Sequence, residues 1–317
     1  MRLMYSILKG FSNRDLLYIQ RLIIEILANK LSRNERFRLF WDNNGYTRNL
    51  HIPLINPSRG DLNIYKKYLI GDGNNKKVLL LGSTPLLRGL LSEVGIKNYV
   101  IADFSFTTIE NSLRALDKLG INIDPENETW LKSNWLDMPL EPESFDCIVG
   151  DMVFTQIEPK RQHFFTEKLA SLLKQEGRFI GRMQICDTDF DNKDPKQIIE
   201  EILTSETFEN TVEQRLALLY RLRNRLRDKE TQTTSSNKIV EELLQYKTYE
   251  ETKLEFLRAI IKMISSRVDL ELPFISQTKN EVEKNLFKEF SLETSECASD
   301  YSAESFPIYL CRKKSSV

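Results

Sequence analysis

Histidine, paired cysteine and long apolar stretches are what this chain of 317 residues lacks. Only His51 and His163 are present, and Cys147, Cys186, Cys297 and Cys311 lie far apart with no Cys-x-x-Cys pair. That leaves neither the ligands of a structural zinc site nor a disulfide framework. No apolar run approaches the roughly 20 residues that a membrane-crossing helix requires. Met1 to Gly10 has no sustained apolar core and no small-residue cleavage site. Charge of one sign is missing too, since Lys and Arg total 45 against 46 Asp and Glu. The balance removes the electrostatic case for a dedicated nucleic-acid binder. The expectation is a soluble, reduced, cytoplasmic protein with no metal, no membrane and no nucleic acid among its partners.

What the chain does have is a regular alternation of strand and helix patterns, starting at Val78-Leu-Leu-Leu-Gly-Ser-Thr-Pro85. Val78–Leu81 is a short continuous apolar run, the pattern of a strand buried on both faces of a parallel sheet. Ser83-Thr84-Pro85 then supplies an N-cap and a proline suited to a first helical turn. A strand that turns directly into a helix leaves backbone N–H groups available to a polar ligand. Helix Leu86–Val94, strand Tyr99–Ala102 ending at Asp103, helix Thr107–Leu119, a weak strand at Trp130–Leu131 and a strong one at Phe145–Val149 follow. Helix Arg161–Lys174, with Gly177 as its stop signal, and strand Arg178–Ile185 complete the series. Such alternation implies a parallel sheet with helices on both faces.

Before this core the sequence predicts an amphipathic helix over Leu16–Leu31, an extended, turn-rich linker over 41–61, and a short helix over Ile64–Leu69. After it, from Asp187 to about Arg267, only helical periodicity remains, in Lys196–Leu203, Val212–Arg227, Val240–Leu244 and Glu250–Ile264, with a polar loop at 231–237. The tail returns to strand patterns at Phe290–Cys297 and Phe306–Arg312, two consecutive strands that read as an antiparallel hairpin. The expected fold is an α/β, Rossmann-like, mostly parallel sheet with a C-terminal antiparallel hairpin, plus N-terminal helices and a helical insertion. The expected units are a helical cap and linker over 1–75, a core over 76–186, an insertion or lid over 187–267, and the rest of the core with its closing hairpin over 268–317.

In open α/β sheets ligands bind beyond the carboxyl ends of the strands. The strand ends here are Gly82-Ser83-Thr84, Asp103, Ser133-Asn134-Trp135 and Gly150-Asp151-Met152. Polar groups at four successive ends of apolar strands are hard to explain as core packing. The set resembles the class I, Rossmann-like S-adenosylmethionine-dependent methyltransferases. Val78-Leu-Leu-Leu-Gly-Ser-Thr-Pro stands for the first motif and Ile101-Ala-Asp-Phe-Ser for the second. Asn134-Trp-Leu-Asp-Met-Pro-Leu and Ser144-Phe-Asp-Cys-Ile-Val-Gly-Asp match as well. More narrowly, the chain is similar to a bacterial branch in which Leu-Gly-x-Thr-Pro replaces Gly-x-Gly-x-Gly, and Pro57-Ser-Arg-Gly-Asp61 to that branch's Pro-Ser-x-x-Asp segment. The likeness covers roughly 55–185 and the hairpin, not the helices of 187–267.

The resemblance implies S-adenosyl-L-methionine as cofactor. Gly82, Ser83 and Thr84 would lie against its methionine part, Asp103 would hold the ribose, and Phe104 would flank the adenine. Asn134 and Trp135 would meet the adenine edge and face, Asp151 the amino group or the acceptor, and Arg59 the methionine carboxylate. Asn134 stands where many relatives carry an acid. Weak candidates for a catalytic base are His163, after the fourth strand, and Asp151, with His51 weaker still. Tyr5, Tyr18 and Tyr46 would come over the site if the N-terminal helices form a lid. Arg215, Arg221, Arg223, Arg225 and Arg227 share one predicted helix; with Glu213, Asp228 and Glu230 beside them they read as a solvated face rather than an anion-binding patch.

The implied activity is O- or N-methylation of a small molecule or modified peptide. Asp151-Met-Val-Phe in place of Asn-Pro-Pro-Tyr speaks against nucleobase amines. A nicotinamide-dependent oxidoreductase would want Gly-x-Gly-x-x-Gly, which is missing. A scaffold that keeps the fold without catalysis is the other alternative.

Overall fold

The computed structural model describes residues 30–44, 52, 54–70, 76–186 and 193–315. The predicted helix Leu16–Leu31, apart from its last two residues, lies outside them, as do Tyr5, Tyr18, Tyr46 and His51.

The core elements follow the alternation: β1 Val78–Leu81, α3 Pro85–Glu93, β2 Tyr99–Asp103, α4 Phe106–Lys118, β3 Glu128–Lys132, β4 Phe145–Asp151, α5 Gln162–Leu172 and β5 Leu173–Arg182. Two helices precede them, α1 Arg33–Asn44 and α2 Arg59–Ile70. Strands β1 to β5 with β8 Phe290–Glu296 and β9 Ile308–Lys313 form one seven-stranded sheet in the order β3-β2-β1-β4-β5-β9-β8. β1 to β5 run parallel, and β9 and β8 are antiparallel. This is the expected Rossmann-like architecture with its C-terminal hairpin.

Side-chain alternation along each strand explains the two layers. Leu79 and Leu81 of β1 join Val100 and Ala102 of β2 in one apolar cluster, while Val78 and Leu80 join Tyr99 and Ile101 in the other. All four β1 residues are buried, each leucine contributing about 2 kcal/mol of transfer free energy. The register then brings the strand ends level: Leu81 pairs with Gly150, Asp103 with Lys132 and Asp151 with Arg182.

Between β5 and the hairpin the chain forms α6 Pro195–Leu203, α7 Val212–Arg225, α8 Ser236–Gln245 and α9 Glu251–Asp269, with a two-stranded ribbon, β6 Thr233–Thr234 and β7 Phe274–Ile275. These helices bury a core of their own around Ile198, Leu218, Leu222, Ile239, Phe256 and Ile260. Helix α10, Lys279–Glu289, then leads into β8. Among the described residues no helix is long and apolar enough to cross a membrane.

Four local expectations are corrected. The stretch 41–61 is not wholly extended, because Trp41 lies in α1 and Arg59 and Gly60 open α2. The polar 231–237 stretch holds β6 and the start of α8. Gly177 does not stop α5; it lies inside β5, whose pairing shifts between Phe145↔Leu173 and Cys147↔Arg178. The arginines of α7 and beyond are a solvated face only in part: Arg225 is exposed, but each makes a specific contact. Arg223 is buried, Arg221 pairs with Glu201, Arg215 binds Asn210, Arg225 donates to the Lys193 carbonyl, and Arg227 grips Glu281.

Candidate functional site

Gly82 takes φ +76, a left-handed conformation that glycine adopts without strain, and its N–H donates to the Ala102 carbonyl at 2.8 Å. A Cβ there would stand 3.5 Å from the Trp135 ring. Thr84 is the N-cap of α3, yet its hydroxyl makes no capping bond, and Pro85 follows at the first helical position. The turn therefore offers a threonine side chain and a helix N-terminus to one open cleft of ≈ 580 Å³.

Asp103, closing β2, lines the same cleft. Its Oδ2 accepts from Ser83 N and Oγ at 3.1 and 3.0 Å, and its Oδ1 from Ser105 N at 3.0 Å. Burial pushes this carboxyl up to about 6, against those hydrogen bonds, which pull it down. Ser105 also caps α4 through Thr108 N, so the acid is held on a rigid frame.

Asp151, closing β4, is the second carboxylate in the cleft. Arg182 grips it with two bonds, Nε to Oδ1 at 2.7 Å and Nη2 to Oδ2 at 3.2 Å. Arg182 Nη1 also donates to Asp61 Oδ2 at 2.9 Å and to the Tyr301 hydroxyl at 3.2 Å. Tyr65 bridges the strands below, donating to the Gly150 carbonyl and accepting from Arg182 N, both at 2.7 Å. Burial alone would lower the Arg182 guanidinium; the Asp151 and Asp61 carboxylates outweigh it and hold the group above its ordinary value. Burial raises the Asp151 carboxyl, and Arg182 opposes that shift.

Of the residues singled out in the sequence, Gly82, Thr84, Asp103, Phe104, Trp135 and Asp151 line this cleft together. Ser83 is fully buried behind it and bonds Asp103. Trp135 is 8% exposed, with Nε1 donating to the Ala102 carbonyl at 2.7 Å and its ring stacked on Phe165. Asn134 belongs to an adjoining cleft of ≈ 510 Å³ that it shares with Phe104, Arg38 and Lys132, and its Oδ1 accepts from Leu136 N. His163 lines neither cleft. Arg59 is exposed at the start of α2 and also lies outside both, whereas Asp61 of the same segment enters the Arg182 network.

Sequence reasoning missed Phe37 and Trp41 of α1, Thr108 of α4, and Gln156 with Ile157 beyond β4, all of which line the cleft. It also missed Arg182, although a charge closing the apolar run Phe179-Ile180-Gly181 was a visible signal. The Gln156 carboxamide oxygen is buried with no hydrogen-bond partner among the described residues.

No protein-family model matches the chain, and no curated protein matches it. Among solved structures, a Rhodobacter sphaeroides protein provisionally described as a zinc-dependent alcohol dehydrogenase is similar at TM-score 0.56 and 14% identity, over 90% of this chain and 100% of that one. An S-adenosylmethionine-dependent methyltransferase from Methanosarcina mazei aligns at TM-score 0.48 and 14% identity, over 80% and 98% of the two chains. The magnesium protoporphyrin IX methyltransferase of Synechocystis, solved with S-adenosylhomocysteine, aligns at TM-score 0.46 and 13% identity, over 88% and 93%. The described residues hold no group of three or more His, Cys, Asp or Glu side chains placed to bind a metal. At 14% identity the likeness to the first of these is one of fold.

Proposed function

We propose that this chain is a class I S-adenosylmethionine-dependent methyltransferase acting on a small molecule or peptide, through oxygen or nitrogen. One observation carries the reading: two buried carboxylates, Asp103 and Asp151, meet the Gly82–Thr84 turn in one cleft, and among the described residues its lining holds no Lys, Arg or His. A site of that charge favours a cation, since opposite unit charges about 4 Å apart attract by roughly 4 kcal/mol at an effective dielectric near 20. It suits a ligand bearing a sulfonium and an ammonium group. It disfavours the diphosphate of a nicotinamide dinucleotide.

In this reading Asp103 accepts from the ribose hydroxyls, Asp151 holds the ammonium, and the Gly82–Thr84 turn receives the methionine part. Phe104 and Trp135 border the purine, with Asn134 at its edge. When bound, the cofactor supplies a methyl group already activated by its positive sulfur, so the protein has chiefly to align the acceptor. Asp151, with both oxygens bonded to Arg182, serves better as a charge partner than as a proton acceptor.

Calorimetric titration tests the reading directly. S-adenosylhomocysteine is expected to bind and NAD is not, and Asp103→Ala is expected to weaken S-adenosylhomocysteine at least tenfold. Failure of the wild-type protein to bind it, or undiminished binding by the variant, overturns the assignment.

A further inference from the structure

Helix α1 is clasped from two sides. On the core side Asp42 accepts from the Ser105 hydroxyl, Thr108 Oγ1 donates to the Trp41 carbonyl at 3.4 Å, and Arg33 pairs with Glu158 at 3.1 Å. On the other side stands the end of α9. Arg36 Nη1 donates to the Leu270 carbonyl and the Glu271 carboxylate, both at 3.2 Å, and Phe37 and Phe40 bury against Leu270 and Leu272.

One contact of this second set is of a different kind. The Arg267 guanidinium lies 4.7 Å from the Phe40 ring and 4.7 Å from the Phe274 ring. The stack continues from Phe274 to Arg223 at 4.5 Å, from Arg223 to Tyr220 at 5.9 Å, and from Tyr220 to Phe306 at 5.7 Å. Phe306 in turn lies 5.8 Å from Arg182, the residue that grips Asp151. A run of cation–ring contacts, with one ring–ring contact between Tyr220 and Phe306, thus leads from the cap helix, across the helical insertion, to the far wall of the cleft. Both ends meet the ligand space, through Phe37 and Trp41 at one and Asp151 at the other.

We propose that Arg267 is a positioning residue of the cofactor cleft. Held between Phe40 and Phe274, it sets how far α1 closes, and so the helical insertion controls cofactor affinity from outside the cleft. The proposal rests on the cofactor reading above. Leucine contacts such as Leu270 and Leu272 are non-directional and let a helix slide, whereas a planar guanidinium between two rings fixes a spacing. The run of contacts gives such coupling a contiguous physical route.

The test is S-adenosylhomocysteine titration of the full chain with Arg267→Ala, Arg267→Lys and Phe274→Leu, each checked for an unchanged circular dichroism spectrum. Arg267→Ala is expected to weaken binding tenfold or more, about 1.4 kcal/mol. Phe274→Leu, which keeps apolar bulk but removes the ring, is expected to do the same and carries the test if the alanine variant does not fold. Arg267→Lys, which keeps the charge but not the plane, is expected to fall between them and wild type. Arg221→Ala, on the insertion but outside the stack, is expected to stay within twofold. Acrylamide quenching assigned to Trp41 by comparison with Trp41→Phe is expected to rise in Arg267→Ala before any ligand is added. Wild-type affinity and quenching in Arg267→Ala, or an equal loss in Arg221→Ala, overturns the proposal. If wild type binds no S-adenosylhomocysteine the cofactor reading fails, and the quenching still shows separately whether Arg267 seats the helix.

Discussion

Two buried arginines serve opposite ends of the parallel sheet, and both have side chains fully out of solvent. Arg88 of α3 reaches Glu128, which opens β3. Its Nε meets Oε1 at 3.0 Å and its Nη1 meets the Ile109 carbonyl at 2.7 Å, while Glu128 also takes Tyr99 Oη and Trp130 Nε1, each at 2.7 Å. One cation faces one acid, and each guanidinium nitrogen has a partner. Arg182, closing β5, faces two acids, Asp61 and Asp151, and the second of these borders the cleft. The first site is neutral and sealed. The second carries a surplus negative charge beside open space. Buried charge without full compensation is costly, so the surplus is intelligible where a cationic ligand completes it.

The largest expected effect breaks the two pairs in turn. Arg182→Met strands two carboxylates and is expected to cost about 5 kcal/mol, at the top of the range for breaking a buried pair. Arg88→Met strands one acid that keeps its Tyr99 and Trp130 donors, and about 3 kcal/mol is expected. Urea unfolding measures both. The comparison sharpens on neutralising the stranded acids. Arg88→Met with Glu128→Gln is expected to regain most of the lost stability and to bind S-adenosylhomocysteine as wild type does. Arg182→Met with Asp61→Asn and Asp151→Asn is expected to regain stability without regaining binding. Recovery of binding in the triple variant would show that the surplus charge is incidental.

Asp103 gives the next effect, and its sign differs between folding and binding. Its carboxyl titrates near 6 in the fold against an ordinary value of 3.8, so the folded chain holds that proton more tightly than the unfolded one. This group therefore destabilises the fold by about 3 kcal/mol above pH 6, and the penalty fades as pH falls toward 4. In the proposed reading Asp103 accepts from ribose hydroxyls and must be ionised to do so, so affinity is expected to move the other way and drop up to tenfold from pH 7 to pH 5. Thermal unfolding and calorimetry at both pH values test the pair of trends, with Asp103→Asn as the reference in which both flatten.

The sealed and the open ends were not equally legible in the sequence. Strands read well because each is a short apolar run bounded by turn residues, and Asp103 and Asp151 stood out as acids closing such runs. Their partners did not. Glu128 and Arg88 are 40 residues apart and Arg182 and Asp61 are 121 apart, and nothing local pairs them. Helix α1 was hidden for another reason: Arg-Asn-Glu-Arg-Phe-Arg-Leu-Phe-Trp has no single apolar stripe, because the helix is clasped from two sides rather than laid on one core. Helix α10 was legible and went unread, since Thr278 and Glu281 form a capping box in the described geometry.

The smallest difference sets one tyrosine against another. Tyr65 and Tyr99 are both buried and each has its hydroxyl in one of the two arginine networks. Tyr65→Phe removes the hydroxyl that bridges the Gly150 carbonyl and Arg182 N, and about 2 kcal/mol is expected. Tyr99→Phe takes one donor of several from Glu128, and about 1 kcal/mol is expected. The two also differ in what they touch. Gly150 and Arg182 flank Asp151 in the register of β4 and β5, so Tyr65→Phe is expected to weaken S-adenosylhomocysteine several-fold, while Tyr99→Phe leaves the affinity unchanged. Equal stability losses with equal affinities in the two variants would mean that the open end of the sheet is braced no more carefully than the sealed one, and the functional contrast between the arginines would lose its physical basis.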